Sequence, residues 1–162
     1  MMKALVVYDS FFGNTERIAQ SIGKALGRPE DVGIIRAVNV RPEQLTGLKL
    51  LIVGSPTRAF RPTPAINKFM KSIPKNGLKG VKVAAFDTRM TQDQIESSVF
   101  ILRILVNIFG YAARPISDGL VKKGGQLIAP PEGFFVHGTE GPLKEGELER
   151  AADWARQIIA KQ

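Results

Sequence analysis

The chain has 162 residues, 44% of them apolar, and no cysteine. It is expected to fold as one soluble domain over 1–162, and disulfides, thiolate catalysis and Cys-ligated metal or iron–sulfur centres are excluded. Lys and Arg number 23 against 15 Asp and Glu, a formal charge of +8 that favours anionic ligands or acidic partners.

Lys3-Ala4-Leu5-Val6-Val7-Tyr8 is an apolar run of good strand formers. Asp9 ends it too early for a membrane span or a secretory signal, so a cytoplasmic location is expected. The turn Ser10-Phe11-Phe12-Gly13-Asn14-Thr15 then opens into a helical pattern over 14–26, with Ile18, Ile22 and Leu26 on one stripe. A buried strand, a turn with hydroxyls and glycine, and a helix start together present backbone N–H groups to an anion. Neither Gly-x-Gly-x-x-Gly nor Gly-Lys-Ser/Thr is present, so this reads as a hydroxyl-type phosphate loop. Ser10 and Asn14 acting only as caps of a surface helix is the competing reading.

Val32 to Val40 suits a second strand, with 32–36 as its shorter form, and Pro42–Leu45 a short helical turn. Lys49 to Gly54 is continuously apolar, as in a parallel strand covered on both faces. The loop from Ser55 to Pro62 follows, and Thr63 with Pro64 forms a helix start. Val81 to Phe86 is the next buried strand, ending at Asp87-Thr88-Arg89, and Thr91 with Gln94 matches a capping box. The segment 99–109 reads as a helix apolar almost all round, the pattern of a covered helix or of a subunit contact. Ala112 to Ile116 is expected to be a short strand and Gln126 to Ala129 another. Pro130-Pro131-Glu132-Gly133 interrupts that second strand before Phe134-Phe135-Val136 resumes it. A last helix carries Leu148, Ala151, Ala152, Ala155, Ile158 and Ile159 inward, with Trp154 partly covered at its border.

Strands alternating with helices predict a doubly wound α/β sheet, with the ligand at the carboxyl ends of the strands. That rule gathers the loops 9–15, 55–62 and 87–91. Ser10, Asn14 and Thr15 suit a phosphate. Ser55 and Thr57 suit the body of a ligand, and Phe11 or Phe60 its flat face. Phe12 is equally suited to an exposed docking spot. Asp9 and Asp87 lack the further acid that a receiver-type phosphoacceptor site or a two-metal site requires, and the single histidine, His137, builds no metal centre. The basic residues are not interleaved with aromatics in one segment, so nucleic acid is not an expected partner.

Together these loops resemble the flavodoxin family. Ser10 to Thr15 is similar to its phosphate loop, Gly54-Ser55-Pro56-Thr57 to its second, ring-side loop, and Asp87-Thr88-Arg89 to its third; the C-terminal stretch 141–154 is similar to its last helix. The resemblance implies a doubly wound five-stranded parallel sheet with helices on both faces. It also implies non-covalent FMN, with the phosphate on Ser10, Phe11, Phe12, Gly13, Asn14 and Thr15. The ring would lie among Ser55, Pro56, Thr57, Arg58, Phe60, Asp87, Thr88 and Arg89. The chain departs from the family in three ways. Phe12 replaces a phosphate-loop threonine, no Tyr or Trp follows Asp87, and Arg58, Arg61 and Arg89 stand where acidic residues are usual. Cations there stabilise the anionic reduced flavin, so a less negative potential is expected.

The resemblance implies an FMN electron carrier with an acidic redox partner. Two alternatives stand beside it. One is an FMN-dependent NAD(P)H:quinone or small-acceptor oxidoreductase, dimeric through 99–109. The other is a flavin-free basic interaction module.

Overall fold

In the computed structural model, residues 3–58, 61–90 and 111–162 are described. Phe60, the capping box at Thr91–Gln94 and the 99–109 helix lie outside the described residues. The described strands are β1 (Ala4–Tyr8), β2 (Val32–Arg36), β3 (Leu50–Pro56), β4 (Lys82–Met90), β5 (Gln126–Leu127) and β6 (Glu132–Val136). The described helices are α1 (Asn14–Leu26), α2 (Pro64–Ser72), α3 (Ala113–Lys122) and α4 (Glu147–Ala160), and Pro42–Leu45 is a 3-10 turn.

The sheet runs β2-β1-β3-β4, and β5 and β6 both pair with β4, every pairing being parallel. Five strand positions result, the fifth made in two pieces. While β4 advances by three residues, from Val83 to Phe86, the facing chain advances by five, from Leu127 to Glu132. Pro130 and Pro131 fall in that interval, so the interruption foreseen after Ala129 is present.

Alternation along the strands sends side chains to two cores. Val6, Ile52, Ala84 and Phe86 point to the face covered by α1 and α4, where they meet Ile18, Ile22, Ala151 and Ile158. Leu5, Val7, Leu51, Val53 and Ala85 point to the other face, against Ile66 and Phe69 of α2 and Ile116 and Leu120 of α3. Because both faces are covered, the strands carry continuous apolar runs and not an alternation of apolar with polar residues. Helices on both faces of a parallel sheet make the chain a doubly wound α/β protein.

Four expectations are corrected. Residues 87–89 are not a loop, because β4 continues through them to Met90 in register with β6. Ile159, expected inward on the last helix, is 39% exposed. Ala112 to Ile116 is not a strand, since α3 begins at Ala113. Trp154 is buried, its ring edge-on to Phe86 and Phe134 at centroid distances of 6.3 and 6.0 Å. Gly54 lies near the end of β3, and a Cβ there would run into the Phe86 ring. The backbone of β3 thus lies directly against the aromatic cluster.

Candidate functional site

The strand order reverses at β1, which has β2 on one side and β3 on the other. The crevice at this switch lies outside the carboxyl ends of the strands, where β1, β3 and β4 release their loops. Asp9 N–H donates to the Gly54 carbonyl at 3.2 Å, which holds the first loop against the second. Thr57 N–H donates to the Thr88 carbonyl at 3.0 Å, and the hydroxyls of Thr15 and Thr88 lie 2.8 Å apart. The first two loops and the carboxyl end of β4 therefore converge.

The first loop is tightly made. Ser10 N–H donates to Asp9 Oδ1 at 2.9 Å, and Gly13 N–H donates to Ser10 Oγ at 3.0 Å. Gly13 occupies the left-handed region at φ 89° and precedes the first turn of α1, a conformation that glycine adopts without strain. Among the described residues, no side chain caps that turn. Its N–H groups, at Asn14, Thr15 and Glu16, lie too early in the helix for intrahelical bonds and are aimed out of the helix end. Such a donor set can receive an anion.

The predicted side chains divide by what they already hold. Thr15 is buried with Thr88. Asn14 donates its side-chain N–H to the Glu140 carbonyl at 3.1 Å, reaching away to the loop before α4. That approach depends on Gly141, at φ +100°, where a Cβ would meet the Asn14 amide. Ser55 is fully buried and turned to its own loop, its hydroxyl donating to the Pro56 carbonyl and accepting from Thr63 N–H. Thr57 Oγ1 accepts from Ala112 N–H at 3.2 Å. Phe11 and Phe12 are 54% and 49% exposed, and the exposed Arg58 guanidinium lies over Phe11 at 4.7 Å and near Phe12 at 5.9 Å. An aromatic–cation cluster therefore rims the crevice.

At the carboxyl end of β4, Asp87 is fully buried. Arg89 forks onto it with bonds of 2.6 and 2.7 Å, and Ala113 N–H adds a third at 2.9 Å. Burial pushes the Asp87 carboxyl above its ordinary range, against the pull of Arg89 and the Ala113 N–H. The other face of the Arg89 guanidinium lies 3.7 Å from the Tyr111 ring centroid, and burial raises the Tyr111 phenol as well. Arg89 is thus a neutralised member of a buried pair, unlike the exposed Arg58.

Three contributors were missed from sequence: Arg36, Tyr111 and the Glu140 carbonyl. Arg36 faces Tyr8 in the β1–β2 register, so its place at a strand's carboxyl end was the available signal. Tyr111 and Glu140 reach the site only through tertiary contacts. A groove of about 770 Å³ opens beside α1, lined by Phe12, Asn14, Arg17, Gln20, Glu140 and Pro142 among others. The groove shares Phe12, Gly13, Asn14 and Glu16 with the first loop and the start of α1, and extends from there along the helix. Among the described residues there is no cluster of three metal-ligating side chains, and no helix is long and apolar enough to cross a membrane.

Solved structures with the same arrangement are found across nearly the whole chain. A flavodoxin from the domain Archaea superposes with a TM-score of 0.75 at 23% identity, covering 99% of this chain and 98% of that one. Oxidised flavodoxin 2 from Bacillus cereus gives 0.73 at 23% identity, covering 99% of both. Rubredoxin oxygen:oxidoreductase from the anaerobe Desulfovibrio gigas gives 0.67 at 19% identity, and there the likeness takes in 98% of this chain but 36% of the larger protein. No sequence-family profile and no curated protein matches the chain. The chain has the flavodoxin-like fold.

Proposed function

We propose that the chain binds FMN without a covalent bond and passes electrons between partners. The observation that carries this reading is the uncapped first turn of α1, placed by Gly13 at the switch of strand order with the second loop and the carboxyl end of β4 closing on it. Its donors fit a phosphate, with the N–H groups of Asn14 and Thr15 directed at the anion and the Ser10 hydroxyl shaping the turn. The buried Thr15–Thr88 pair forms the inner wall. Thr57, Arg58, Thr88 and Arg89 border the ring side, and Phe11 is the aromatic available to its flat face. FMN supplies the redox chemistry when bound, while the chain orients it and sets the electrostatics around it.

The exposed Phe11, Phe12, Arg58 and Arg61 favour an acidic redox partner, since aromatic area and guanidinium groups at the rim attract and orient carboxylate-rich surfaces. The same cations favour a second reading, an oxidoreductase for a quinone or other small acceptor that takes its electrons from NAD(P)H.

The test is reconstitution with excess FMN followed by desalting. Visible flavin absorbance retained at about one flavin per chain is the expected result. A colourless protein overturns the reading and leaves the basic interaction surface. Sustained NAD(P)H consumption with a quinone by the loaded protein would replace the carrier with the reductase.

A further inference from the structure

Beneath the anion loop stands a cluster of charges that the phosphate contacts alone do not require. Asp9 is buried at the end of β1, and Glu16 sits in the first turn of α1. Two carboxylates this close to the donor turn oppose the binding of a dianion. Arg36, at the carboxyl end of the edge strand β2, reaches both. Its Nη1 donates to Asp9 Oδ1 at 3.3 Å and to the Ser10 carbonyl at 2.8 Å, and its Nη2 lies 3.7 Å from Glu16 Oε2. The guanidinium is 5.3 Å from the Tyr8 ring centroid, and the Tyr8 hydroxyl donates to Glu16 Oε1 at 2.9 Å. Arg36 and Tyr8 are register partners, so the sheet itself aims this side chain across β1 at the loop.

We infer that Arg36 is a positioning residue that makes the 10–15 loop selective for a phosphorylated ligand. It neutralises Asp9 and Glu16, and it fixes the Ser10 carbonyl so that the loop's N–H groups face the anion. This inference rests on the FMN reading and adds a residue that never touches the ligand. A single point charge would serve less well. Nη1 holds Asp9 and the Ser10 carbonyl while Nη2 of the same planar fork faces Glu16, and lysine has no such fork.

The experiment compares FMN with riboflavin, which lacks the phosphate, by titrating flavin fluorescence in the wild-type chain and in variants. The phosphate preference is the ratio of the two dissociation constants. Arg36→Met is expected to lower that ratio about tenfold, and Arg36→Lys to restore part of it. Adding Glu16→Gln to Arg36→Met is expected to recover part of it as well, because one of the uncovered carboxylates is then removed. Arg156→Met, which changes net charge equally on the exposed side of α4, serves as the control and should leave the ratio unchanged. Thermal melts of each variant separate loss of the fold from loss of selectivity. A wild-type chain that retains FMN while Arg36→Met keeps the same ratio overturns the inference and leaves the FMN reading standing. Equal loss of both flavins in a folded Arg36→Met also overturns it, because the role is then structural alone. A wild-type chain that retains neither flavin overturns the FMN reading and this inference with it.

Discussion

Thr15 and Thr88 join the start of α1 to the carboxyl end of β4 through hydroxyl oxygens 2.8 Å apart, with both side chains buried. A hydroxyl has one proton to give. If Thr88 donates to Thr15, the Thr15 proton is released toward the anion site, so the pair couples loop closure to ligand binding. Thr15→Val is expected to weaken FMN binding about tenfold, and Thr88→Val to weaken it less while lowering stability by about 1 kcal/mol. Fluorescence titration with a denaturant melt of each variant checks both. Equal affinity losses in the two variants would contradict the assignment of donor and acceptor.

The three arginines of the ring loops do not act alike. Arg89 is cancelled by Asp87, whereas Arg58 is exposed and lies over Phe11 and near Phe12. In FMN-loaded protein, Asp87→Asn is expected to raise the two-electron potential by about 30 mV, a tenfold shift in the equilibrium. It leaves the Arg89 charge uncompensated beside the reduced anion. Arg58→Ala should lower the potential by less, because water and salt screen an exposed charge. Potentiometric titration of both variants reads the signs directly, and a fall in Asp87→Asn would refute this account.

Acid sensitivity is expected from the other end of β6. Burial alone would raise the Glu147 carboxyl. Bonds from Arg150 and from Phe135 N–H, with the nearby charges of Arg150 and Lys144, outweigh it and hold the group below its ordinary value of 4.5. Since the folded value lies below the unfolded one, the contribution to stability is complete above pH 4.5 and is lost as pH falls through the folded value. Glu147→Gln should cost about 2 kcal/mol at neutral pH and flatten this part of the acid limb. Melting temperatures measured from neutral to acid pH, compared between the two proteins, test it.

The core offers an optical test. Trp154 is the only tryptophan, and it is wedged edge-on between Phe86 and Phe134. Its emission should shift to the red in a single transition on unfolding. Phe134→Ala should destabilise by about 3–5 kcal/mol. Gly54→Ala should be of similar severity, because its Cβ meets the Phe86 ring. A denaturation midpoint for Gly54→Ala close to wild type would show that the ring can move aside.

The strands and first loop were legible because local pattern and tertiary environment agree there. The apolar runs at 4–8 and 50–54 are buried on both faces, and Thr63 caps α2 by accepting from Ile66 N–H at 3.3 Å. Ala112 to Ile116 misled because what starts α3 is a carboxylate elsewhere in the chain. Asp87, on β4, receives the Ala113 N–H, and Pro115 in the first turn has no N–H and so needs no acceptor. Trp154 was misplaced by a shift of the helical stripe, whose centre runs through Ala151, Trp154, Ala155 and Ile158. The ring-loop arginines could be seen in sequence, but the pairing that silences Arg89 could not. It depends on a buried fork two residues long, made geometrically specific only by the strand that carries both partners.

The split between β5 and β6 also bears on how the chain behaves in a crowd of its own copies. An uninterrupted outer strand offers a row of free N–H and C=O groups on which a second sheet can grow. Here that row is broken between Leu127 and Glu132, and Pro130 and Pro131 within the gap bring no N–H at all. A copy seeking to extend the sheet on this side would find two short, offset lengths of backbone instead of one template. With the Phe135 carbonyl already taken by Lys144 N–H and Val136 bridged to Leu143, the irregularity that spoils the strand pattern in the sequence leaves no long free edge on this side among the described residues, and is expected to disfavour fibrillar assembly.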